Sequence, residues 1–154
     1  MTATNSKLHR PLVVVSNREP YRHDRLQDGS VEWSPTTGGV AVALDALMRE
    51  RGGIWIAHGS GGADRDVVDG DDRVLVPPDN PVYPLRRLWL TPNEDTHYYD
   101  GFANEGLWPL CHVAHVRPIF RADDWKIYQQ VNERFASAIE EELPDLSAPV
   151  FIQD

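Results

Sequence analysis

The chain has 154 residues and a single cysteine, Cys111, so no disulfide can form within it. That fits a reducing compartment. Basic residues are scarce: 15 Lys and Arg stand against 24 Asp and Glu, a formal net charge of −9. This balance argues against nucleic acid or an anionic membrane as the main partner, since both select basic surfaces. A phosphorylated small molecule is still compatible, because it needs only a local cationic pocket. No apolar run approaches the roughly 20 residues of a membrane-spanning helix. Residues 1–10 are polar and basic with no apolar stretch, so no signal peptide is expected and the segment reads as a disordered leader. The expected location is the cytoplasm.

Several chemical signatures are also missing. There is no G-x-x-x-x-G-K-[ST] phosphate loop. The dinucleotide pattern fails after Gly59-Ser60-Gly61, where Asp64 stands in place of the third glycine. A hydrolase elbow around Ser60 fails because position 58 is histidine. The stretch His58-Gly59-Ser60-Gly61-Gly62 instead reads as a flexible loop. Cys111, His112 and His115 lack a clear further ligand, so zinc is not expected. Asp69-Gly70-Asp71 reads as a solvated turn. No internal repeat or low-complexity tract occurs.

What is present is the patterning of an α/β domain. The apolar fraction of 41% and charged fraction of 25% are ordinary for a globular protein, and the length allows one domain with a real core. Leu12-Val13-Val14-Val15 is a short buried strand that runs into Ser16-Asn17-Arg18. Residues 19–35 read as a polar loop or small hairpin, turning at Asp28-Gly29. A helix is predicted over 39–51, with Val40, Ala43, Leu44, Leu47 and Met48 as its apolar stripe and Gly52-Gly53 as its stop. Ile54-Trp55-Ile56-Ala57 is the next buried strand, so strand, helix and strand form a βαβ unit with a parallel sheet.

Residues 73–76 and 86–90 read as further strands, joined by a proline-rich connection. Residues 92–109 read as short helices and turns. A long helix capped by Asp123 or Asp124 is predicted to reach about residue 143, with Trp125, Tyr128, Val131, Phe135, Ala138 and Ile139 on its apolar face. Glu140, Glu141 and Glu142 lie at its unfavourable dipole end and are expected in solvent. Residues 149–154 read as one more buried strand. A buried parallel strand normally feeds a crossover helix, so the expectation is the N-terminal part of a larger enzyme.

Arg18 follows a buried strand, and open α/β sheets bind ligands at the carboxyl ends of their strands. An arginine there can grip a phosphate with two parallel hydrogen bonds, or it can be a plain surface residue. Gly38-Gly39 can bring backbone N–H groups and a helix N-terminus to a pyrophosphate, or form an ordinary tight turn. Tyr98-Tyr99 and Trp108 offer aromatic faces suited to sugars, or they are core residues.

Together these pieces resemble the trehalose-6-phosphate synthase family of retaining glycosyltransferases, family 20. The resembling segments are Leu12–Arg18, Gly38-Gly39-Val40-Ala41, Tyr98-Tyr99 with Phe102-Ala103-Asn104 and Leu107-Trp108-Pro109, Trp125 with Tyr128 and Val131-Asn132, and Ile152-Gln153-Asp154. They occur in family order across almost the whole chain.

The resemblance implies an α/β, Rossmann-like parallel-sheet N-terminal lobe of a GT-B glycosyltransferase. Residues 11–154 would be its acceptor side, with the C-terminal donor-binding domain absent from this chain. The implied reaction moves glucose from UDP-glucose to glucose 6-phosphate in trehalose biosynthesis, without metal or cofactor. The resemblance assigns Arg18, Tyr99, Trp108 and Asp154 to the glucose 6-phosphate acceptor, and Gly38 and Gly39 to the UDP-glucose donor. It assigns no catalytic residue within the chain, and Gln153 departs from the histidine of many members.

The cationic clamp for the leaving diphosphate is also unmatched, so the isolated chain is expected to be inactive. A homo-oligomeric full-length parent is compatible with the resemblance. The alternatives are a family member acting on glycerol 3-phosphate, such as a glucosylglycerol-phosphate synthase, and a non-catalytic sugar-phosphate-binding module.

Overall fold

A computed structural model describes residues 11–113, 115–143 and 147–153. The expected leader and Asp154 lie outside the described residues. The chain divides into two compact units, one from residues 1–88 with 142–154 and the other from residues 89–141.

The first unit opens with β1 (Leu12–Arg18), buried from Leu12 through Asn17. A hairpin of β2 (Tyr21–Arg25) and β3 (Val31–Pro35) follows, as the turn at Asp28-Gly29 predicts. Helix α1 (Gly39–Arg51) leads to β4 (Gly53–His58), and β1 and β4 pair in parallel. After α2 (Asp64–Val67) come β5 (Arg73–Val76), β6 (Tyr83–Leu88) and, late in the chain, β7 (Val150–Ile152). The five-stranded sheet has the order β5-β6-β4-β1-β7, with β5 antiparallel at one edge. The central strands read as continuous apolar runs because both faces are covered. Trp55 is fully buried and stacks on Tyr83 with ring centroids 6.4 Å apart.

Several expectations need correction here. The strand predicted at 86–90 starts three residues earlier and ends two earlier, at Tyr83–Leu88. Pro84 does not break it, and Tyr83, Leu85 and Arg87 form its buried face. Helix α1 has the predicted bounds but is rotated. Leu44 and Met48 are buried, while Val40 is 51% exposed and Leu47 39% exposed. The rotation brings Asp45 to the sheet, where it accepts from Tyr21 Oη at 3.0 Å and Tyr83 Oη at 2.6 Å. Glu142 is not solvated: it receives Arg73 at 2.8 Å and Arg86 at 3.0 Å. The last strand pairs with β1 at the sheet edge, and its side chains are exposed rather than buried.

The second unit is helical. Helix α3 (Pro92–Asp95) starts with a capping box: Glu94 N–H donates to Thr91 Oγ1, and Thr91 N–H donates to Glu94 Oε2. The chain continues without a break through a π-helical segment (Thr96–Leu107) into α4 (Trp108–Cys111). Short helices and turns were expected over residues 92–109, but Gly101 and Gly106 do not interrupt the helix. The glycines instead admit neighbours: a Cβ on Gly101 would sit 2.7 Å from Asp124 Oδ2, and one on Gly106 would sit 2.6 Å from the Phe120 ring.

Helix α5 (Ala122–Glu142) supplies the other side of this unit. It begins at Ala122, so Asp123 and Asp124 occupy the first turn rather than the cap. Phe102 packs at 4.5 Å from Tyr128 and 5.0 Å from Trp125, measured between ring centroids.

Candidate functional site at the strand ends

The carboxyl ends of β1, β4 and β6 lie in register, Arg18 opposite His58 and His58 opposite Leu88. Asn17 forms a bulge, since Ser16 pairs with Ala57 while Arg18 pairs with His58. Bulges re-aim side chains at the ends of strands and often adjoin sites. A relay fixes this one: Trp55 Nε1 donates to Ser16 Oγ at 2.8 Å, and Ser16 Oγ donates to Arg18 O at 2.6 Å. Arg18 is exposed. Asn17 is buried, and its Oδ1 has no hydrogen-bond partner among the described residues.

Beneath this edge lies a buried charge cluster that sequence reasoning missed. Arg87 is 1% exposed. Its Nε donates to Glu19 Oε2 at 2.8 Å, its Nη1 to Asp64 O at 3.1 Å, and its Nη2 to Tyr21 O at 3.0 Å. Nη2 also lies 2.8 Å from Asp64 Oδ1 and 2.8 Å from His23 Nδ1. Glu19 Oε1 accepts from Ser60 N–H at 2.9 Å and lies 3.2 Å from Ser60 Oγ. Asp64 accepts from His23 N–H at 2.8 Å and Gly61 N–H at 2.6 Å. The 58–62 loop, expected to be flexible, is therefore pinned at Ser60 and Gly61.

Burial and the adjacent Asp64 carboxylate push the Glu19 carboxyl up to about 8, against the opposing pull of Arg87. Burial alone would raise Asp64 too. Hydrogen bonds from His23 and Glu19 and the charge of Arg87 outweigh it and hold Asp64 well below the usual carboxylate range. One signal for the cluster was available: Arg87 occupies an inward position in the alternation Tyr83, Leu85, Arg87. Starting the strand at residue 86 hid it.

Gly38 and Gly39 open α1 without a side-chain cap, and neither has a positive φ. A Cβ at either would meet nothing within 4 Å, so crowding by the fold does not require the pair. The segment before them is tied to the Arg18 side. Thr36 N–H donates to Pro20 O at 2.9 Å, and Thr36 Oγ1 donates to Glu19 O. Arg18, Gly38 and Gly39 thus all lie in the first unit.

Tyr99 and Trp108 belong to the second unit. Tyr99 is half-buried in the π-helical segment, and Trp108 is 52% exposed. The Trp108 ring stacks on His112 at 4.5 Å. Tyr98, stacked on Tyr128 at 5.6 Å, is a packing residue. Among the described residues no three His, Cys, Asp or Glu side chains are grouped to hold a metal ion. No helix among them is long and apolar enough to cross a membrane.

A mostly parallel sheet with a bulged strand end and an uncapped glycine helix start defines a Rossmann-like α/β unit. The chain belongs to glycosyltransferase family 20, whose model matches residues 10–154. It is 40% identical over 126 residues to a trehalose-6-phosphate synthase of Mycobacterium ulcerans, covering 82% of this chain and 24% of that protein. It is 39% identical over 142 residues to the Mycobacterium avium trehalose-6-phosphate synthase, covering 92% of this chain and 28% of that protein. The chain therefore spans about a quarter of the length of these relatives.

Among solved structures it resembles trehalose-6-phosphate synthase from E. coli bound with UDP-2-fluoro glucose, with TM-score 0.61 and 26% identity. That match covers 92% of this chain and 27% of the other. An alpha,alpha-trehalose-phosphate synthase from Burkholderia xenovorans in complex with glucose-6-phosphate shares the fold at TM-score 0.64 and 23% identity. There the match covers 94% of this chain and 28% of the other.

Proposed function

We propose that this chain is the acceptor-side part of an N-terminal lobe in a trehalose-6-phosphate synthase-type transferase. The reaction is transfer of glucose from UDP-glucose to glucose 6-phosphate. Arg18 grips the acceptor phosphate, and Gly38-Gly39 lets the donor approach the α1 N-terminus. Tyr99, Trp108 and Asp154 contact the acceptor sugar, and the protein works in the cytoplasm. The observation that carries this reading is the exposed Arg18 on a locked bulge at the carboxyl end of β1, in a chain of family 20. The relative in complex with glucose-6-phosphate supports the choice of acceptor.

Calorimetric titration of the chain with glucose 6-phosphate tests the reading. Arg18→Ala removes a charge-assisted contact and is expected to weaken binding by about 10- to 100-fold. Equal binding by both proteins would overturn it. A parallel titration with glycerol 3-phosphate separates the two acceptors. Tighter binding of glycerol 3-phosphate would move the assignment to the glucosylglycerol-phosphate branch.

A further inference from the structure

Burying two carboxylates and a guanidinium rarely improves stability. The desolvation cost competes with the attraction, and well-packed apolar residues often do as well or better. The cluster of Glu19, Asp64 and Arg87 therefore calls for another account, and its bonds supply one. Each carboxyl group spends an oxygen on the backbone of the turn after β4: Glu19 takes Ser60 N–H and Asp64 takes Gly61 N–H. Arg87 spends its donors on Glu19, on Asp64 and on the backbone of β2. Glu19 is also the residue next to Arg18, and its carbonyl receives Thr36 from the segment leading to Gly38.

We propose that Glu19 and Arg87 are positioning residues for the phosphate-binding edge. The Glu19 carboxyl, held by Arg87, ties the peptide beside Arg18 to the Ser60-Gly61 turn, so that the ends of β1, β4 and β6 keep one geometry around an arriving phosphate. This rests on the reading of Arg18 as the phosphate ligand.

The charge count supports the same role. One guanidinium against two carboxylates would leave a net negative cluster under a site that must take a phosphate dianion. A proton on Glu19 makes the cluster neutral, and its carboxyl is held up to about 8. The groups facing Glu19 are Arg87 from β6, Asp64 from α2, Ser60 from the turn after β4 and Arg22 from β2, while His23 from β2 contacts Arg87 and Asp64.

The experiment is calorimetric titration of the chain with glucose 6-phosphate at pH 7 and pH 9, where the phosphate is a dianion throughout. The proteins are wild type, Arg18→Ala, Glu19→Ala and Glu19→Gln, each checked for folding by circular dichroism. Glu19→Ala is expected to weaken binding by about tenfold at pH 7. Glu19→Gln keeps one carbonyl acceptor and a donor toward Asp64 but loses the second acceptor, and is expected to weaken it less than Glu19→Ala. Wild type should bind more weakly at pH 9 than at pH 7, and Glu19→Gln should not. If Glu19→Ala fails to fold, the pH comparison of wild type with Glu19→Gln decides alone.

A requirement for Arg18 combined with equal pH dependence in wild type and Glu19→Gln would overturn this inference and leave the phosphate reading standing. Absent binding by wild type, or full binding by Arg18→Ala, would overturn both.

Discussion

The first unit buries a cluster of charged side chains, whereas the second packs around an aromatic cluster. Among the described residues, Ser16, Asn17, Glu19, His23, His58, Asp64 and Arg87 are buried in the first unit, against Asp124 alone in the second. Asp124 is paired to His97 at 2.6 Å and Arg121 at 3.0 Å, both of them reaching outward. The second unit packs instead around Phe102, Trp125 and Tyr128. An aromatic cluster fills space at little desolvation cost. A buried ion cluster fixes geometry at a cost in stability. The costly arrangement sits directly under the strand ends where Arg18 is presented.

The comparison breaks most sharply at Arg87. Arg87→Met leaves two carboxyl groups buried without their cation and is expected to cost about 3–5 kcal/mol in urea unfolding. A cost below about 1 kcal/mol would mean that the cluster is replaceable by packing. In the second unit the tight point is Gly101, where an added Cβ would sit 2.7 Å from a carboxylate already committed to His97 and Arg121. Gly101→Ala is expected to cost about 1–3 kcal/mol by the same measurement.

A smaller effect concerns pH. The raised Glu19 carboxyl binds its proton more tightly when folded. Its contribution to stability is full below the usual glutamate value of 4.5 and is lost as pH rises to about 8. Melting temperature should therefore fall between pH 5 and pH 8.5, and Glu19→Gln should flatten that fall. Asp64 acts in the opposite sense, with its stability lost on acidification below the usual aspartate range.

Much of the frame was legible because its signals are local. The apolar run of β1, the turn at Asp28-Gly29 and the glycines bracketing α1 each announce an element over a few residues. The rotation of α1 was not legible, since it depends on Tyr21 and Tyr83 reaching Asp45 from distant strands. The continuous helix over residues 92–111 was hidden because Gly101 and Gly106 look like breakers until Asp124 and Phe120 are seen against them. Arg18, Gly38 and Gly39 could be singled out as candidates from their place beside a strand and a helix start. Glu19 and Arg87 were not, because their pairing joins positions 68 residues apart. The Tyr99 and Trp108 acceptor assignments came from resemblance, and both rings are partly exposed.

The central claim is that the strand ends of the first unit receive a sugar phosphate. The most direct measurement is a backbone amide chemical-shift titration of the isotopically labelled chain with glucose 6-phosphate. The account predicts saturable shifts centred on Arg18, Glu19, Ser60 and Gly61, and their disappearance in Arg18→Ala. Shifts confined to other parts of the chain, or unchanged in Arg18→Ala, would contradict it.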